Sequence, residues 1–286
     1  MRLVRYGKAG EEKPGILDRA GRLRDLSGEV DDIAGPALGA DALARLAALD
    51  PATLPAVAGE PRLGPCVGRV GNFIAVGLNY ADHAAEGGDP IPPEPILFNK
   101  ARSCVAGPND DLMLPKGSRK TDWEVELAIV IGARISYADE AAAARAIAGF
   151  CICHDVSERE FQLERGGTWT KGKGCPGFGP LGPWLVTPDE IADVQKLAIW
   201  LEVNGERVQN GTTATMIFPA RFLVSYISQF MILEPGDVIT TGTPAGVGAG
   251  FKPERYLKPG DRVRLGIDGL GEQRQAVRAF AAAANG

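Results

Sequence analysis

The sequence contains few histidines. Only His83 and His154 occur among its 286 residues, which excludes a metal site built from several imidazoles. Any metal bound by this chain would therefore be held by carboxylates, which favours Mg²⁺, Mn²⁺ or Ca²⁺. Chemistry that needs an imidazole must use one of these two side chains.

Long apolar runs and blocks of positive charge are also missing. No apolar run approaches the ~18 residues of a membrane helix, and the first residues lack the apolar stretch of a signal peptide. The net charge is −5 without any basic block, which disfavours binding to nucleic-acid phosphates. We therefore expect a cytoplasmic protein that binds neither a membrane nor nucleic acid.

The cysteine content is low and odd in number. Five cysteines occur at irregular spacings and no C-x-x-C motif is present. This pattern predicts free thiols in a reducing compartment rather than a disulfide framework or a structural zinc site.

Glycine and proline, in contrast, are abundant. The 37 glycines and 21 prolines make up about a fifth of the chain, which is too much for a helical bundle and is typical of many turns joining short strands. We predict a β-rich α+β fold with two parts. Residues 1–70 form a small N-terminal β-rich domain and a linker, and residues 71–286 form the main domain.

Periodicity places the main elements along the chain. Apolar residues at helical spacing predict helices over 40–49, 138–148 and 219–230, the second ended by Gly149. Asn204-Gly205 between two alternating segments predicts a β-hairpin. Apolar or alternating runs predict strands over 72–77, 124–131, 150–154, 197–203, 206–209, 238–241 and 263–267.

Two glutamates stand at the start of an apolar strand. Because side chains at i and i+2 of a strand point to the same face, Glu124 and Glu126 project together, ~6.5–7 Å apart at the backbone. Two unpaired carboxylates at this spacing repel each other, and a divalent cation would relieve the repulsion. The segment alone fits a cation site and an ordinary solvated strand end equally well.

A third carboxylate and a histidine complete the set of candidates. Asp155 ends the apolar strand over 150–154, where it could be a further cation ligand or simply begin a turn or cap a helix. His83 and Glu86 lie three residues apart, so one turn of helix would place them on a shared face. A carboxylate beside an imidazole suits a general base, although a lone surface histidine would look the same in sequence.

Together these segments resemble the fumarylacetoacetate hydrolase family. The resemblance extends from about residue 72 to residue 278, and its motifs occur in order. They are Gly77-Leu78-Asn79-Tyr80 with His83 and Glu86, Glu124-Val125-Glu126-Leu127, Asp155-Val156-Ser157-Glu158-Arg159, Gly172-Lys173, Pro180-Leu181-Gly182-Pro183-Trp184, Val203-Asn204-Gly205-Glu206, Leu233-Glu234-Pro235-Gly236-Asp237 and Thr241-Gly242-Thr243-Pro244.

The resemblance implies a fold and a set of site residues. It implies a mixed β-roll or barrel as the catalytic domain, a homodimer, and a Mg²⁺ or Mn²⁺ ion held by Glu124, Glu126 and Asp155. It implies catalytic roles for His83, Glu86 and Lys173, with His83 as the base. The predicted substrate-binding residues are Asn79, Tyr80, Lys100, Arg159, Gln162 and Thr243.

The segments around Lys173 narrow the resemblance to one branch. Residues 165–169, 171–175 and 178–180 look most like the branch often labelled ureidoglycolate lyase, which includes 2,4-diketo-3-deoxy-L-rhamnonate hydrolase. Where many members follow the lysine with Ser-Phe-Asp-Thr-Phe, this chain has Gly174-Cys175-Pro176-Gly177-Phe178. The predicted reaction is hydrolysis of a 2,4-diketo acid to pyruvate and a second acid such as lactate. The alternatives are a ureidoglycolate lyase, an oxaloacetate decarboxylase, and a non-catalytic metal-binding protein on the same fold.

Overall fold

A computed structural model of the protein describes residues 1–281. Residues 282–286, the end of the predicted main domain, lie outside the described residues. The strands are β1 Arg2–Tyr6, β2 Lys13–Leu17, β3 Leu23–Asp25, β4 Phe73–Gly77, β5 Ile96–Asn99, β6 Val105–Ala106, β7 Leu112–Met113, β8 Thr121–Asp122, β9 Val125–Ile131, β10 Ile147–His154, β11 Ser157–Glu158, β12 Gly179–Val186, β13 Ala198–Val203, β14 Glu206–Thr212, β15 Val238–Thr240, β16 Arg262–Ile267 and β17 Gly271–Arg278.

Helices are short in comparison with the strands. The α-helices are α1 Ala40–Ala47, α2 Ala81–Gly87, α3 Glu140–Arg145, α4 Thr170–Lys173 and α5 Ala220–Ile227. A π-helical turn covers Glu160–Glu164. Turns of 3-10 helix cover Gly35–Leu38, Pro51–Thr53, Arg102–Cys104, Pro188–Glu190, Val194–Lys196, Thr213–Thr215 and Gly248–Gly250.

Two sheets form the body of the fold. The larger sheet has the order β3-β2-β1-β12-β10-β9-β15-β4-β5, with β6 paired to β12 as its tenth strand, and the smaller has the order β14-β13-β16-β17-β7. The smaller sheet packs on the larger, with β17 against β12 and β10 and with β13 and β16 against β9. The predicted strand-rich α+β class is confirmed. The larger sheet ends at β3 and β5, so it is an open sheet and not a closed barrel.

The central strand of the larger sheet, β9, is buried along its whole length. Every residue of β9 is buried, as expected for a strand covered on both faces. It pairs antiparallel with β10 on one side and with β15 on the other. The acidic residues of interest lie at the end of this pair of strands, where the apolar core gives way to a cavity.

The N-terminal strands extend this same sheet. β1 pairs with β2, and Leu3 stands opposite Leu185 of β12. Arg5 forms an ion pair with Asp32 at 2.6 Å, which ties the strand to the following loop. The first strands therefore share hydrogen bonds with the main sheet, and the division of the chain near residue 70 stays a prediction.

Most predicted elements are present, with one clear error. The hairpin at Asn204-Gly205 and the helices over 40–49 and 219–230 correspond to β13–β14, α1 and α5. The helix predicted over 138–148 ends at Arg145, and the chain enters β10 at Ile147. Gly149 does not stop a helix, because it stands opposite Val130 in the ladder and a Cβ there would lie 2.4 Å from the carbonyl oxygen of Val186. Sheet pairing overrides local helix propensity at this point.

The sequence predicts neither a disulfide framework nor a membrane helix, and both predictions can be compared with the structure. All five cysteines are free thiols, four of them buried, which confirms the absence of a disulfide framework. Within residues 1–281, none of the helices has both the length and the apolar character needed to traverse a membrane.

Candidate active site

The strand register brings three carboxylates together. Val125 stands opposite His154 and Glu126 opposite Cys153 in the β9–β10 ladder, and the backbone N–H of Asp155 donates to the carbonyl of Glu124 at 2.9 Å. Glu124, Glu126 and Asp155 are all buried, and each offers an oxygen within 4.8 Å of the others. We call these three residues the acidic triad.

Two lysines neutralise part of the triad. The ammonium of Lys173 lies 2.5 Å from Oε2 of Glu124 and 2.9 Å from Oδ2 of Asp155. The ammonium of Lys100 lies 2.5 Å from Oδ1 of Asp155 and donates to the carbonyl of Lys173 at 2.7 Å. Burial alone would lower the pKa of Lys100, but the facing carboxylate of Asp155 outweighs it and the pKa is raised. Lys100 is therefore held in the charged form.

Arg159 links the triad to a fourth carboxylate, that of Asp122. Its guanidinium lies 2.7 Å from Oε1 of Glu124 and 2.8 Å from Oδ2 of Asp122. Burial raises the pKa of Glu124, but Lys173 and Arg159 outweigh burial and hold that pKa at about 2. Asp122 also accepts backbone hydrogen bonds from Gly248 and Ala249, at 2.6 and 3.0 Å. The loop of Gly248–Gly250 is thus fastened to the same charge network.

Glu126 is the triad member without a cation beside it. Within residues 1–281 it forms no ion pair, and its Oε2 accepts a hydrogen bond from the backbone N–H of Gly242 at 2.9 Å. Burial, followed by repulsion from Asp155 and Glu124, raises its pKa well above the usual value. Four buried carboxylates thus face three cations. The oxygen donors and this charge imbalance both fit a divalent cation.

His83 and Glu86 form a pair on helix α2. Nδ1 of His83 lies 3.1 Å from Oε2 of Glu86, as the three-residue spacing predicts. The other oxygen of Glu86 accepts from the backbone N–H of Gly246 at 2.9 Å. Leu78, with a left-handed φ of 51°, directly follows β4, and the helix begins three residues later at Ala81. Glu86 therefore both orients the imidazole and fastens the helix to the loop that follows β15.

The triad and the His83–Glu86 pair line a single cavity of about 370 Å³. This volume is within the usual range of small-molecule sites. The polar and charged residues around it include His83, Glu86, Asp89, Glu124, Glu126, Asp155, Arg159, Gln162, Lys173 and Thr243. Apolar lining comes from Val76, Leu78, Phe98, Leu163, Trp169 and Val247. The arrangement offers acid–base groups, buried charge and an apolar surface to one ligand.

The residues predicted to bind substrate fall into two groups. Arg159, Gln162 and Thr243 line the cavity, and the carboxamide nitrogen of Gln162 has no hydrogen-bond partner in the part of the chain that the structure describes. Thr243 donates its hydroxyl to the carbonyl of Val125 at 2.8 Å. Lys100 lies behind the triad through its contact with Asp155.

Asn79 and Tyr80 are buried beside the cavity rather than lining it. The carboxamide of Asn79 donates to the carbonyls of Phe218 and Thr241, at 3.1 and 2.8 Å, and accepts from the backbone N–H of Phe218 at 2.8 Å. Tyr80 precedes α2 with its side chain fully buried. These contacts hold the loops that surround the cavity together.

The second histidine lies in the interface between the two sheets. His154 is fully buried, and its Nδ1 lies 3.1 Å from the carboxamide oxygen of Gln275. Burial lowers its pKa to about 4, so this imidazole is neutral near pH 7. It is absent from the lining of the cavity, which leaves His83 as the histidine available there.

Sequence reasoning did not single out Asp122 and Gln209. Asp122 could have been found, because 122, 124 and 126 share one face of an extended segment. Gln209 lies on the smaller sheet, accepts from the N–H of Val125 at 3.0 Å and donates to Thr243 and Pro244, both at 2.8 Å. Nothing in the local sequence marks this glutamine, because its role depends on sheet packing.

Known proteins match this chain over most of its length. The sequence profile described as "Fumarylacetoacetate (FAA) hydrolase C-terminal" matches residues 72–278. A Burkholderia cenocepacia protein, provisionally named a hydrolase, is 62% identical over 279 residues, covering 97% of this chain and 99% of its own length.

Solved structures with the same fold carry more specific names. The fumarylacetoacetate hydrolase of Exiguobacterium antarcticum superposes with a TM-score of 0.85 at 33% identity, covering 98% of this chain and 100% of that one. The maleylpyruvate hydrolase of Sphingobium sp. SYK-6 superposes with a TM-score of 0.79 at 27% identity, with the same two coverages.

Proposed function

Because this chain belongs to the fumarylacetoacetate hydrolase family, we propose that it hydrolyses a carbon–carbon bond in a 2,4-diketo acid. Water adds across the bond between C3 and C4, so that an acylpyruvate yields pyruvate and the carboxylic acid derived from the acyl group. The sugar-acid derivative 2,4-diketo-3-deoxy-L-rhamnonate, which would give lactate, is one member of this substrate class.

One observation carries the proposal. The acidic triad and the His83–Glu86 pair, from separate parts of the chain, line the same cavity. A protein that only stored a cation would need the carboxylates but not a histidine oriented by Glu86 at 3.1 Å. This combination of oxygen donors and a positioned base favours an enzyme over a metal-binding protein.

Glu124, Glu126 and Asp155 would hold the cation, with Mg²⁺ or Mn²⁺ suited to carboxylate donors alone. Such an ion supplies Lewis acidity that offsets negative charge developing on the substrate oxygens. This Lewis acidity and the positive charge of the ion matter most for Glu126, which forms no ion pair within residues 1–281.

The chain's own residues supply the proton transfers. His83, oriented by Glu86, takes a proton from the water that attacks C4. As the bond between C3 and C4 breaks, its electron pair stays on C3 as the enolate of pyruvate. Lys173, whose ammonium is fixed by Glu124 and Asp155, stabilises this negative charge, and the proton taken up by His83 returns to C3. Gln162 can donate its carboxamide N–H to a substrate oxygen in the cavity.

Product analysis with a panel of acids tests the proposal. The purified protein with Mg²⁺ or Mn²⁺ should convert 2,4-diketo acids to equimolar pyruvate and a second acid. Urea with glyoxylate from ureidoglycolate, or carbon dioxide from oxaloacetate, would instead identify a lyase or a decarboxylase. Tight binding of the ion without turnover of any keto acid would identify a non-catalytic protein. Assembly as a homodimer and a cytoplasmic location stay predictions.

A further inference from the structure

Three large apolar side chains line the cavity, and two of them, Phe98 and Trp169, pack against each other. The three are Phe98 of β5, Leu163 of the π-helical turn and Trp169 before α4. We call these three residues the apolar wall. Its single polar side-chain atom is the indole N–H of Trp169, so it offers no hydroxyl, carboxamide or charge to a ligand.

The apolar wall begins directly beside the charged end of the cavity. The ring of Phe98 lies 5.1 Å from that of Trp169 in an edge-to-face arrangement, and its centroid lies 5.4 Å from the ammonium of Lys173. Phe98 therefore packs on the indole and also lies close to the lysine that contacts Glu124 and Asp155.

Gly77 makes room for the indole. A Cβ at this position would lie 2.5 Å from Cζ3 of Trp169 and 2.9 Å from its Cη2, closer than real Cβ atoms approach. The last residue of β4 thus has no side chain at the point where the indole packs, and the wall is a built feature rather than a chance exposure.

The remaining charges in the cavity do not suit a second anionic group on the substrate. Lys173 and Arg159 are already paired with carboxylates, and Asp89 adds a further exposed carboxylate to the lining. A hydroxyl placed on the apolar wall would lose hydrogen bonds to water without recovering them. An apolar group there gains from being removed from water.

We propose that the apolar wall binds the acyl group of the substrate and selects 2,4-diketo acids whose acyl group is apolar and uncharged, with Phe98 and Trp169 as specificity-determining residues. The inference rests on the proposed function and narrows its substrate class. It disfavours substrates with a hydroxylated acyl group, including the sugar-acid derivative, and substrates with a second carboxylate.

The first test compares matched substrates. Four acids suffice: 2,4-dioxohexanoate, its 5-hydroxy derivative, the longer 2,4-dioxooctanoate, and a 2,4-diketo diacid of similar length. We expect kcat/KM to rise roughly fourfold for each added methylene, which is the value of burying one such group. We expect the 5-hydroxy derivative to be about tenfold poorer than 2,4-dioxohexanoate. A preference for the hydroxylated acid or the diacid would overturn the inference.

Variants test whether Trp169 produces the preference for longer apolar acyl groups. Trp169→Ala should reduce the ratio of kcat/KM between 2,4-dioxooctanoate and 2,4-dioxohexanoate to near one, mainly through KM, and Trp169→Phe should retain most of it. The ratio is insensitive to general damage, because both substrates meet the same catalytic groups. Gly77→Ala, which crowds the indole, should lower the ratio as well. An unchanged ratio in Trp169→Ala would overturn the assignment.

Binding of uncleavable ligands separates this inference from the proposed function. Pyruvate and 2-oxooctanoate lack the 4-carbonyl, so calorimetry can compare their affinities without turnover. Tighter binding of 2-oxooctanoate, lost in Trp169→Ala, supports the apolar wall even if no diketo acid is hydrolysed, a result that would refute the proposed function alone. Equal affinities for the two ligands, with diketo-acid turnover intact, would refute the wall alone.

Discussion

Lys173 holds its ammonium 2.5 Å from Oε2 of Glu124, with both side chains buried. A buried ion pair stabilises a fold weakly in net terms, but removal of one partner leaves an uncompensated charge and is strongly destabilising. The same glutamate is one of the three proposed cation ligands. Lys173 and the proposed cation would therefore contact the same carboxylates, and the first two predictions separate their contributions.

Replacing Lys173 tests whether the lysine has a chemical role. We expect Lys173→Met to lose turnover in the cation-loaded protein, and to lower the free energy of unfolding of the cation-free protein by about 3–5 kcal/mol. Lys171→Met, an exposed lysine in the same helix, is the matched control and should change neither. Turnover rates and urea unfolding give the two readouts. Full activity restored to Lys173→Met by cation alone would make the lysine purely structural.

Glu126 tests the cation site. We expect Mg²⁺ or Mn²⁺ at 100 times its Kd to stabilise the wild-type protein by about 2.7 kcal/mol, and Glu126→Gln to lose both this effect and turnover. The glutamine can still accept the hydrogen bond from Gly242, so the fold is retained. Asp89→Asn changes a cavity carboxylate outside the triad and should keep the thermal shift. Turnover by wild-type protein in excess chelator would contradict the metal role.

His83 tests the base. His83→Gln should keep the cation-induced thermal shift but lose at least ~10²-fold in kcat, the usual contribution of a general base. Glu86→Gln keeps an oxygen that can accept from Gly246, so it should lower kcat while leaving the helix in place. Steady-state kinetics with a 2,4-diketo acid provide the measurement. If kcat is unchanged in His83→Gln, the histidine takes no part in the proton transfer.

Cation binding should release protons. Because the pKa of Glu126 is raised, a fraction of the cation-free protein carries a proton on this side chain. The cation binds the ionised carboxylate, so this proton must leave. Because the free site holds more protons than the loaded one, affinity should rise with pH and level off above this pKa. Calorimetric titration with Mg²⁺ in two buffers of different ionisation enthalpy measures the protons released. If the binding heats are identical in both buffers at every pH below the pKa of Glu126, this side chain is not protonated in the cation-free protein.

Gln209 should matter although it lies outside the cavity. Gln209→Leu removes the acceptor of the Val125 N–H and the donor to Thr243 and Pro244, so we expect a loss of about 1–3 kcal/mol in unfolding free energy. Activity should fall as well, because Val125 separates two triad residues. Gln229→Leu, at an exposed position just after the end of α5, is the control for urea unfolding, because water can replace the hydrogen bonds that this glutamine donates to Ala138 and Ser225. Equal stability of the two variants would show that the buried contacts contribute little.

The sequence predicted the residues of the candidate site better than it predicted the residues that hold them in place. Alternation along one strand was enough to place Glu124 and Glu126 on one face, and an apolar run was enough to place Asp155 at a strand end. The register that brings Asp155 opposite Glu124 depends on pairing between distant segments. Gln209 reaches Val125 from another sheet, and no local pattern reports such packing.

The same limit explains the misplaced helix end. Alanine-rich sequence before Gly149 favours a helix locally, but Ile147 and Gly149 are taken up by the ladder with β9. The apolar wall was missed for a similar reason, because Phe98 and Trp169 are far apart in sequence and pack together only in the folded chain, where Gly77 leaves room for the indole. Contacts between residues so far apart in the sequence cannot be predicted from local patterns and are seen only in the folded structure.

The division of the site between rigid strands and a seven-residue helix has an evolutionary consequence. The acidic triad is fixed by the ladder of β9 and β10, whereas His83 and Glu86 are attached through α2 and one hydrogen bond to Gly246. Mutations in the helix can therefore change the proposed base without dismantling the acidic triad. A lineage with this design can vary the groups proposed to transfer protons while each intermediate protein keeps the three carboxylates in place.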